Sequence, residues 1–280
     1  MVKKGWRCAL ALMLCLGGWQ TSQAWAAADQ SSSSSELEQK AGSDESDALK
    51  TSVELRWWNP TVSGSIGGDD YFSDRSHEHR LDFEQDLGTD HMTAAPEIRI
   101  KHGRWSVDYL LLSSDVRDYD LPATIVHGSH VYSGKLDTEM TMNYVALDYR
   151  QDMEKTDKRQ YYWTVGAKYL DISATSQGLN ASNKKESDSD SAKGVVPSVG
   201  IGAKWASTTA SKWQGGVYLS GMPLGGCGHI ADLEAVVDYR PAAEWQVSAG
   251  YRVLDMDLHR SDKEVAIKAR GPFLGVSYYF

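Results

Sequence analysis

Cysteine is nearly absent from the 280 residues: Cys8 and Cys15 lie in the first sixteen, and Cys227 stands alone. If the start of the chain is removed, no intrachain disulfide and no cysteine-rich metal site can form. Nowhere does an apolar run approach the roughly 18 residues of a membrane-spanning helix, and the mean hydropathy is -0.45. Phenylalanine is scarce, with 4 residues against 10 Trp and 14 Tyr. Aromatics with polar tips favour boundaries between apolar and wet surroundings over a closed aqueous core. Positive charge is also in short supply, 29 Lys and Arg against 38 Asp and Glu. That balance argues against a nucleic-acid partner, which would need phosphates neutralised.

What is present begins with Lys3, Lys4 and Arg7 before an apolar run over 8–16, followed by small residues at Ala24-Trp25-Ala26 and Ala26-Ala27-Ala28. This is the layout of a secretory signal peptide, assigned to residues 1–28 and cleaved on export. Its loss removes three basic residues and no acid, leaving 26 basic against 38 acidic, a balance of -12. Residues 29–51 are Ser-rich, acidic and free of aromatics, and read as a flexible tail that cannot bury enough apolar surface to order itself.

From residue 52 to 280 the chain alternates with a period of two, the signature of strands. Val53, Leu55 and Trp57 oppose Glu54 and Arg56; Ile98 and Ile100 oppose Glu97, Arg99 and Lys101. Trp105, Val107 and Tyr109 oppose Ser106 and Asp108; Val145, Leu147 and Tyr149 oppose Asp148 and Arg150. The pattern recurs at 163–169, 195–205, 213–219, 231–240, 245–253 and 274–280, about ten strands in all. Separators alternate between short ones and long ones, the long ones covering 67–92, 117–136, 177–193, 221–229 and 256–262. Short turns at one end and long loops at the other, with aromatics at the strand ends, predict an all-β, antiparallel up-and-down transmembrane β-barrel. Eight or twelve strands are the alternatives.

On that reading the polar faces point into a narrow lumen. Glu54, Glu97, Asp108, Asp148, Asp232, Glu234 and Asp238 would meet Arg56, Arg99, Arg150, Lys168, Lys204, Arg240 and Arg252 in an ion-pair network. An unpaired charge there is costly, so a filled interior is preferred to a porin-like selectivity lining.

The C-terminal GPFLGVSYYF places Leu274, Val276, Tyr278 and Phe280 on one face. It resembles the terminal signal of bacterial outer-membrane proteins that the barrel-assembly machinery reads. Leu81–Gly88, Pro96-Glu-Ile-Arg99 and the stretch 123–134 are similar to those of a group of small outer-membrane barrels of OmpA/OmpX-like architecture. The resemblance implies an outer-membrane location, contact with membrane lipid, passage through the assembly machinery and a monomeric state. It brings no assigned activity and no cofactor. The function expected is a structural or surface-binding barrel with acidic external loops.

Two further readings stay open. Asp118 and Asp120 with Asp257 and His259 are similar to the water-activating set of the omptin proteases, ten-stranded barrels in which two carboxylates and an imidazole polarise a water. An alternative lipid-acting site rests on the His127-Gly-Ser129 spacing. A narrow pore for small solutes is the other. His77, His79 and His91 beside Asp69, Asp70 and Asp74 have ligand chemistry, but scattered residues in a solvated loop are expected to hold no metal.

Overall fold

The computed structural model describes residues 51–67, 80–82, 94–120, 125–127, 130–156, 158–180, 184–208, 211–225, 228–260 and 263–280. The strands are β1 (Thr51–Trp58), β2 (Thr61–Gly67), β3 (Arg80–Asp82), β4 (Ala95–His102), β5 (Trp105–Asp120), β6 (Ile125–His127) and β7 (His130–Lys155). They continue with β8 (Arg159–Asn180), β9 (Lys185–Ala206), β10 (Trp213–Pro223), β11 (Gly228–Tyr239), β12 (Trp245–Arg260) and β13 (Lys263–Tyr279). Ten of them, β1-β4-β5-β7-β8-β9-β10-β11-β12-β13, form an antiparallel ring that β13 closes on β1. Closure leaves no open edge in the ring, so backbone groups there find partners without water.

The seam runs from Ser52↔Tyr279 to Trp58↔Phe273, and Phe280 N donates to Thr51 O at 2.8 Å. β2 carries the seam onward along β13, from Thr61↔Arg270 to Gly67↔Glu264. Between them Pro60, which has no N–H, interrupts the ladder, and Asn59 N donates to Pro272 O at 3.0 Å across the break. At the other end β4 and β5 are joined by a two-residue turn, with Gly103 at φ 58° where a side chain would be strained.

Apart from register shifts in β5 between Val116 and Tyr119 and in β7 between Tyr132 and Leu136 and between Asp152 and Glu154, each strand keeps one alternation phase, yet polarity reverses along it. Near the short turns the outward residues are apolar: Leu55, Trp57, Val199, Ile201, Val247, Leu274 and Val276 are 44–65 % exposed. Here the inward residues are polar, including Glu54, Arg56, Asp148, Asp238, Ser248 and Ser277. Toward the long loops the arrangement inverts. Leu110, Leu112, Met140, Met142, Leu170, Ile172, Leu254, Met256, Ile267 and Ala269 face inward and are buried. Their outward neighbours are Ser113, Glu139, Ser173, Asp255, Lys268 and Arg270. The barrel is therefore inside-out at the short-turn end and built like a water-soluble barrel at the other.

The separators 117–136, 177–193 and 256–262, expected to be loops, are largely strand. β5 runs to Asp120, β7 starts at His130, β8 reaches Asn180, β9 starts at Lys185, and β12 and β13 fill most of the last stretch. At ~3.3 Å per residue the 26 residues of β7 extend roughly 85 Å, whereas a tilted strand needs only about 9–11 residues to cross a bilayer. Among the described residues no helix is long and apolar enough to cross a membrane.

Removing an inward side chain of the upper layer creates a void in a dry core. Leu112→Ala is expected to lower folding free energy by about 2–5 kcal/mol in a denaturant titration of protein refolded into vesicles. Leu55→Ala, on the outward face, should cost distinctly less. Equal losses would mean that the upper layer is not close-packed.

Candidate functional site

At the level where polarity reverses, the inward charges meet in one continuous array. Arg252, 2 % exposed, donates from Nε and Nη2 to Asp232 Oδ1 and Oδ2 at 2.9 and 2.7 Å. Its Nη1 crosses the lumen to Glu97 Oε2 at 2.9 Å. Glu97 Oε1 accepts from Arg99 Nη2 at 3.2 Å, and Arg99 Nε donates to Asp108 Oδ2 at 2.8 Å. Arg99 Nη2 also reaches Glu234 Oε2 at 3.3 Å. Glu234 in turn takes Arg56 Nη1 and Nη2 at 2.6 and 3.1 Å, and Arg56 Nε closes on Glu54 Oε1 at 2.6 Å. Lys168 Nζ lies 3.5 Å from Asp232 Oδ2 and donates to Ser220 Oγ at 2.7 Å.

Aromatic rings bound the array above. Tyr144 Oη donates to Asp232 Oδ2 at 3.0 Å, and the Arg252 guanidinium lies 5.2 Å from the Trp58 ring and 5.5 Å from Tyr144. The Arg56 guanidinium lies 4.4 Å from the Phe273 ring. Gly250 makes this possible, since a β-carbon there would overlap Phe273. Strands β1, β4, β8, β11 and β12 are thus tied across the interior by charge-assisted hydrogen bonds, two of the pairs, Arg252–Asp232 and Arg56–Glu234, being bidentate.

The remaining inward charges sit lower and are joined more loosely. Arg150 pairs with Asp152 at 2.9 Å and covers Tyr162 at 4.2 Å. Asp148 accepts from Ser198 Oγ at 3.4 Å, and Asp238 from Ser248 Oγ at 2.8 Å. Lys101 is 3.9 Å from Glu54. Lys204 makes no ion pair within 4 Å among the described residues, and lines the lower cavity with Arg150 and Asp238. Arg240, expected inside, lies beyond the end of β11 and is exposed; it donates to Gln246 at 3.2 Å and covers Tyr279 at 4.6 Å. Its N donates to Lys212 O at 2.8 Å, one step past the last β10–β11 pair, so it stands at the short-turn mouth instead of crossing the lumen. A cavity of about 110 Å³ remains between these residues and the turn at Gly103 and Arg104. Tyr162, Thr164 and Tyr218 also line it, with Thr164 and Tyr218 hydroxyls 2.9 Å apart.

Of the four residues of the hydrolase reading, Asp118 and Asp120 belong to β5, and Asp257 and His259 to β12, four steps apart around the ring of ten. Asp257 shares the outward phase of Asp255, while Leu254 and Met256 occupy the inward positions beside it. The side chains of Asp118, Asp120, His127 and His259 lie outside the described residues, as do positions 77, 79, 91, 129 and 227. Among the described residues no group of three or more His, Cys, Asp or Glu side chains is placed to hold a metal ion. On the outer wall above the reversal, Asp255 meets Lys268 at 3.4 Å and His229 at 3.7 Å.

Leu274, Val276, Tyr278 and Phe280 all face outward, at 65, 45, 37 and 73 % exposure. Tyr278 packs edge-on against Phe280 and Trp245, with centroids 5.0 and 4.9 Å apart. Trp213–Tyr239 and Trp105–Tyr149 contacts continue this aromatic rim around the short-turn end.

No protein-family model matches the chain, and no curated protein matches its sequence. Among solved structures the outer membrane protease OmpT of Escherichia coli is similar in fold, with a TM-score of 0.51, 8 % identity, and 82 % of this chain and 97 % of that one covered. The translocator domain of the autotransporter NalP from Neisseria meningitidis overlaps at a TM-score of 0.36 and 11 % identity, covering 87 % and 94 %. Ail of Yersinia pestis does so at 0.28 and 12 %, covering 83 % and 99 %. The last two scores are too low to bear on the argument. The fold is that of a small bacterial outer-membrane β-barrel with ten strands in its ring.

Arg252 is the joint of the array, and truncating it leaves Glu97 with Arg99 and Asp232 with Lys168 as their remaining counter-charges, each more distant than Arg252. Arg252→Ala is expected to destabilise the barrel by about 3–5 kcal/mol in the same vesicle titration. Adding Glu97→Gln should recover part of that loss. A near-zero effect of the single change would mean that water, not Arg252, satisfies these carboxylates.

Proposed function

We propose that this protein is a closed outer-membrane barrel with a structural or surface-binding role, exported by a cleaved signal peptide and acting as a monomer. The observation that carries this reading is the packed apolar layer lying directly above the ion-pair array. Leu110, Leu112, Met142, Leu254 and Ile267, each no more than 1 % exposed, fill the interior where a solute would have to pass. The outward apolar belt with its aromatic rim supports a position in a bilayer. The extension of β7, β8 and β9 beyond that belt supports display of a surface to the outside.

A pore is disfavoured by the same layer, since a conducting path needs polar or wet walls throughout. A hydrolase of the omptin kind is disfavoured by the outward phase of Asp255 and Asp257, which turns the β12 carboxylates away from the interior.

Expressed with its leader, the protein should fractionate with outer membranes and migrate faster on a gel when unheated. In planar bilayers it should show no stable conductance steps. Recovery as a soluble periplasmic protein would overturn the membrane reading, and reproducible conductance would overturn the closed lumen.

The outward alignment of Leu274, Val276, Tyr278 and Phe280 also supports recognition by the barrel-assembly machinery. Phe280→Asp places one charge near the interface, where the equilibrium cost is only ~0–1 kcal/mol. Refolding into synthetic bilayers should therefore change little while surface yield in cells falls sharply. Equal cellular yields for variant and parent would remove the assembly role.

A further inference from the structure

The rim at the short-turn end carries a surface that the interior does not use. Trp105 and Tyr149 face outward with ring centroids 5.1 Å apart, and Tyr161 and Trp163 on the next strand are each 39 % exposed. Arg104, in the β4–β5 turn, lies along this outward face. Its Nη1 donates to Gln151 Oε1 at 2.7 Å and to Tyr149 Oη at 3.2 Å. Gln151 is paired in register with Trp163, so the guanidinium stands one strand from that indole.

The β7–β8 hairpin continues past the level of Arg104, where Arg150 N bonds Arg104 O at 2.8 Å, down to Lys155, Lys158 and Arg159. Its tip is held by Thr156 N to Arg159 O at 2.8 Å and by Arg159 N to Thr156 Oγ1 at 3.1 Å. Met153, 59 % exposed, leaves an apolar side chain at this depth. Arg159 shares the outward phase of Tyr161 and Trp163, opposite Trp205. Lipid-facing aromatics thus pass within a few residues into a group of cations, with Glu154 exposed among them, Asp152 taken up by Arg150, and Asp157 next to Lys158 in the sequence.

Trp and Tyr settle at headgroup depth, and a guanidinium held just beyond them meets the phosphodiester level, where its fork suits phosphate oxygens. We propose that this patch binds the headgroup of an anionic phospholipid of the periplasmic leaflet. Arg104 and Arg159 meet the phosphate level, Lys158 supplies further positive charge, and the acyl chains lie on Trp163 and Val165, which stand above these cations on the outward face of β8. The continuity of the cations with the apolar belt favours a lipid over a soluble polyanion, which would leave that apolar surface unused. The inference rests on the membrane reading above.

The test uses the full barrel refolded into phosphatidylcholine vesicles containing brominated phosphatidylglycerol or, in parallel, brominated phosphatidylcholine. Tryptophan quenching should report a relative affinity for the anionic lipid of roughly fivefold or more, and the excess should shrink in Trp163→Phe. It should fall to parity in Arg104→Gln/Lys158→Gln/Arg159→Gln, and partway in Arg159→Gln alone should the triple variant not fold. Equal quenching by the two lipids in the parent, or an excess that survives the substitutions, overturns the site. Displacement of phosphatidylglycerol by millimolar inorganic phosphate would show a soluble-anion site and overturn the lipid assignment. A protein quenched by neither lipid has not inserted, and then it is the membrane reading that fails.

Discussion

A strand cannot change which side chains point inward without losing its register, and that constraint shapes this barrel. Successive side chains alternate at a fixed phase, while on the proposed membrane placement the surroundings change from hydrocarbon near the short turns to water near the long loops. A residue class suited to the outside of one zone is therefore wrong for the outside of the other. The chain resolves the conflict by exchanging polarity between its two faces while holding the phase. β13 shows the exchange within a few residues: Lys268 and Arg270 face out above, and Leu274 and Val276 face out below, on the same side of one strand.

The ion-pair array lies where the exchange occurs. Below it the interior must be polar in order to use the inward positions left by an apolar exterior; above it the interior can be apolar. At the join, Trp58, Tyr144 and Phe273 present ring faces to Arg252 and Arg56, while Tyr144 Oη reaches Asp232. Amphipathic side chains thus mediate between a salt-bridged layer and an oily one, as they do between headgroups and acyl chains outside. A buried ion pair is weak evidence for net stability. Its worth here is in fixing the relative positions of β1, β4, β8, β11 and β12, because the bidentate geometry at Asp232 and Glu234 tolerates little sliding.

The ring and the phase of its strands were legible in the sequence because a period of two is a local signal. Glu54, Arg56, Glu97, Arg99 and Arg252 alternate with large outward apolar residues, and the contrast identifies their face. The upper layer was harder to read. Between 177 and 193 the outward residues include Gln177, Ser187, Ser189, Ser191 and Lys193, and the buried residues of the neighbouring strand include Ala174 and Ser176, so the stretch resembles a loop. Its alternation is real but lacks bulk on either face. The run Leu110-Leu111-Leu112 and the pair Met140 and Met142 carried the missing signal, since they put large apolar residues on the phase used lower down by Asp108 and Asp148. Across-strand placement, which sets Asp118 and Asp257 four strands apart, depends on ring order and is invisible to any local pattern.

The polarity exchange also divides the molecule by heat capacity. Apolar surface that leaves water on folding gives unfolding a positive heat-capacity change, and the layer built from Leu112, Met142 and Ile267 is the part that folds against water. In the belt, apolar side chains exchange water for hydrocarbon on insertion, and their partners in the lumen are charges whose hydration has the opposite thermal signature. One strand therefore spans two regimes of temperature dependence. Cooling weakens the driving force in the upper layer, while the backbone ladder enclosed by lipid has no water to which its hydrogen bonds could be lost.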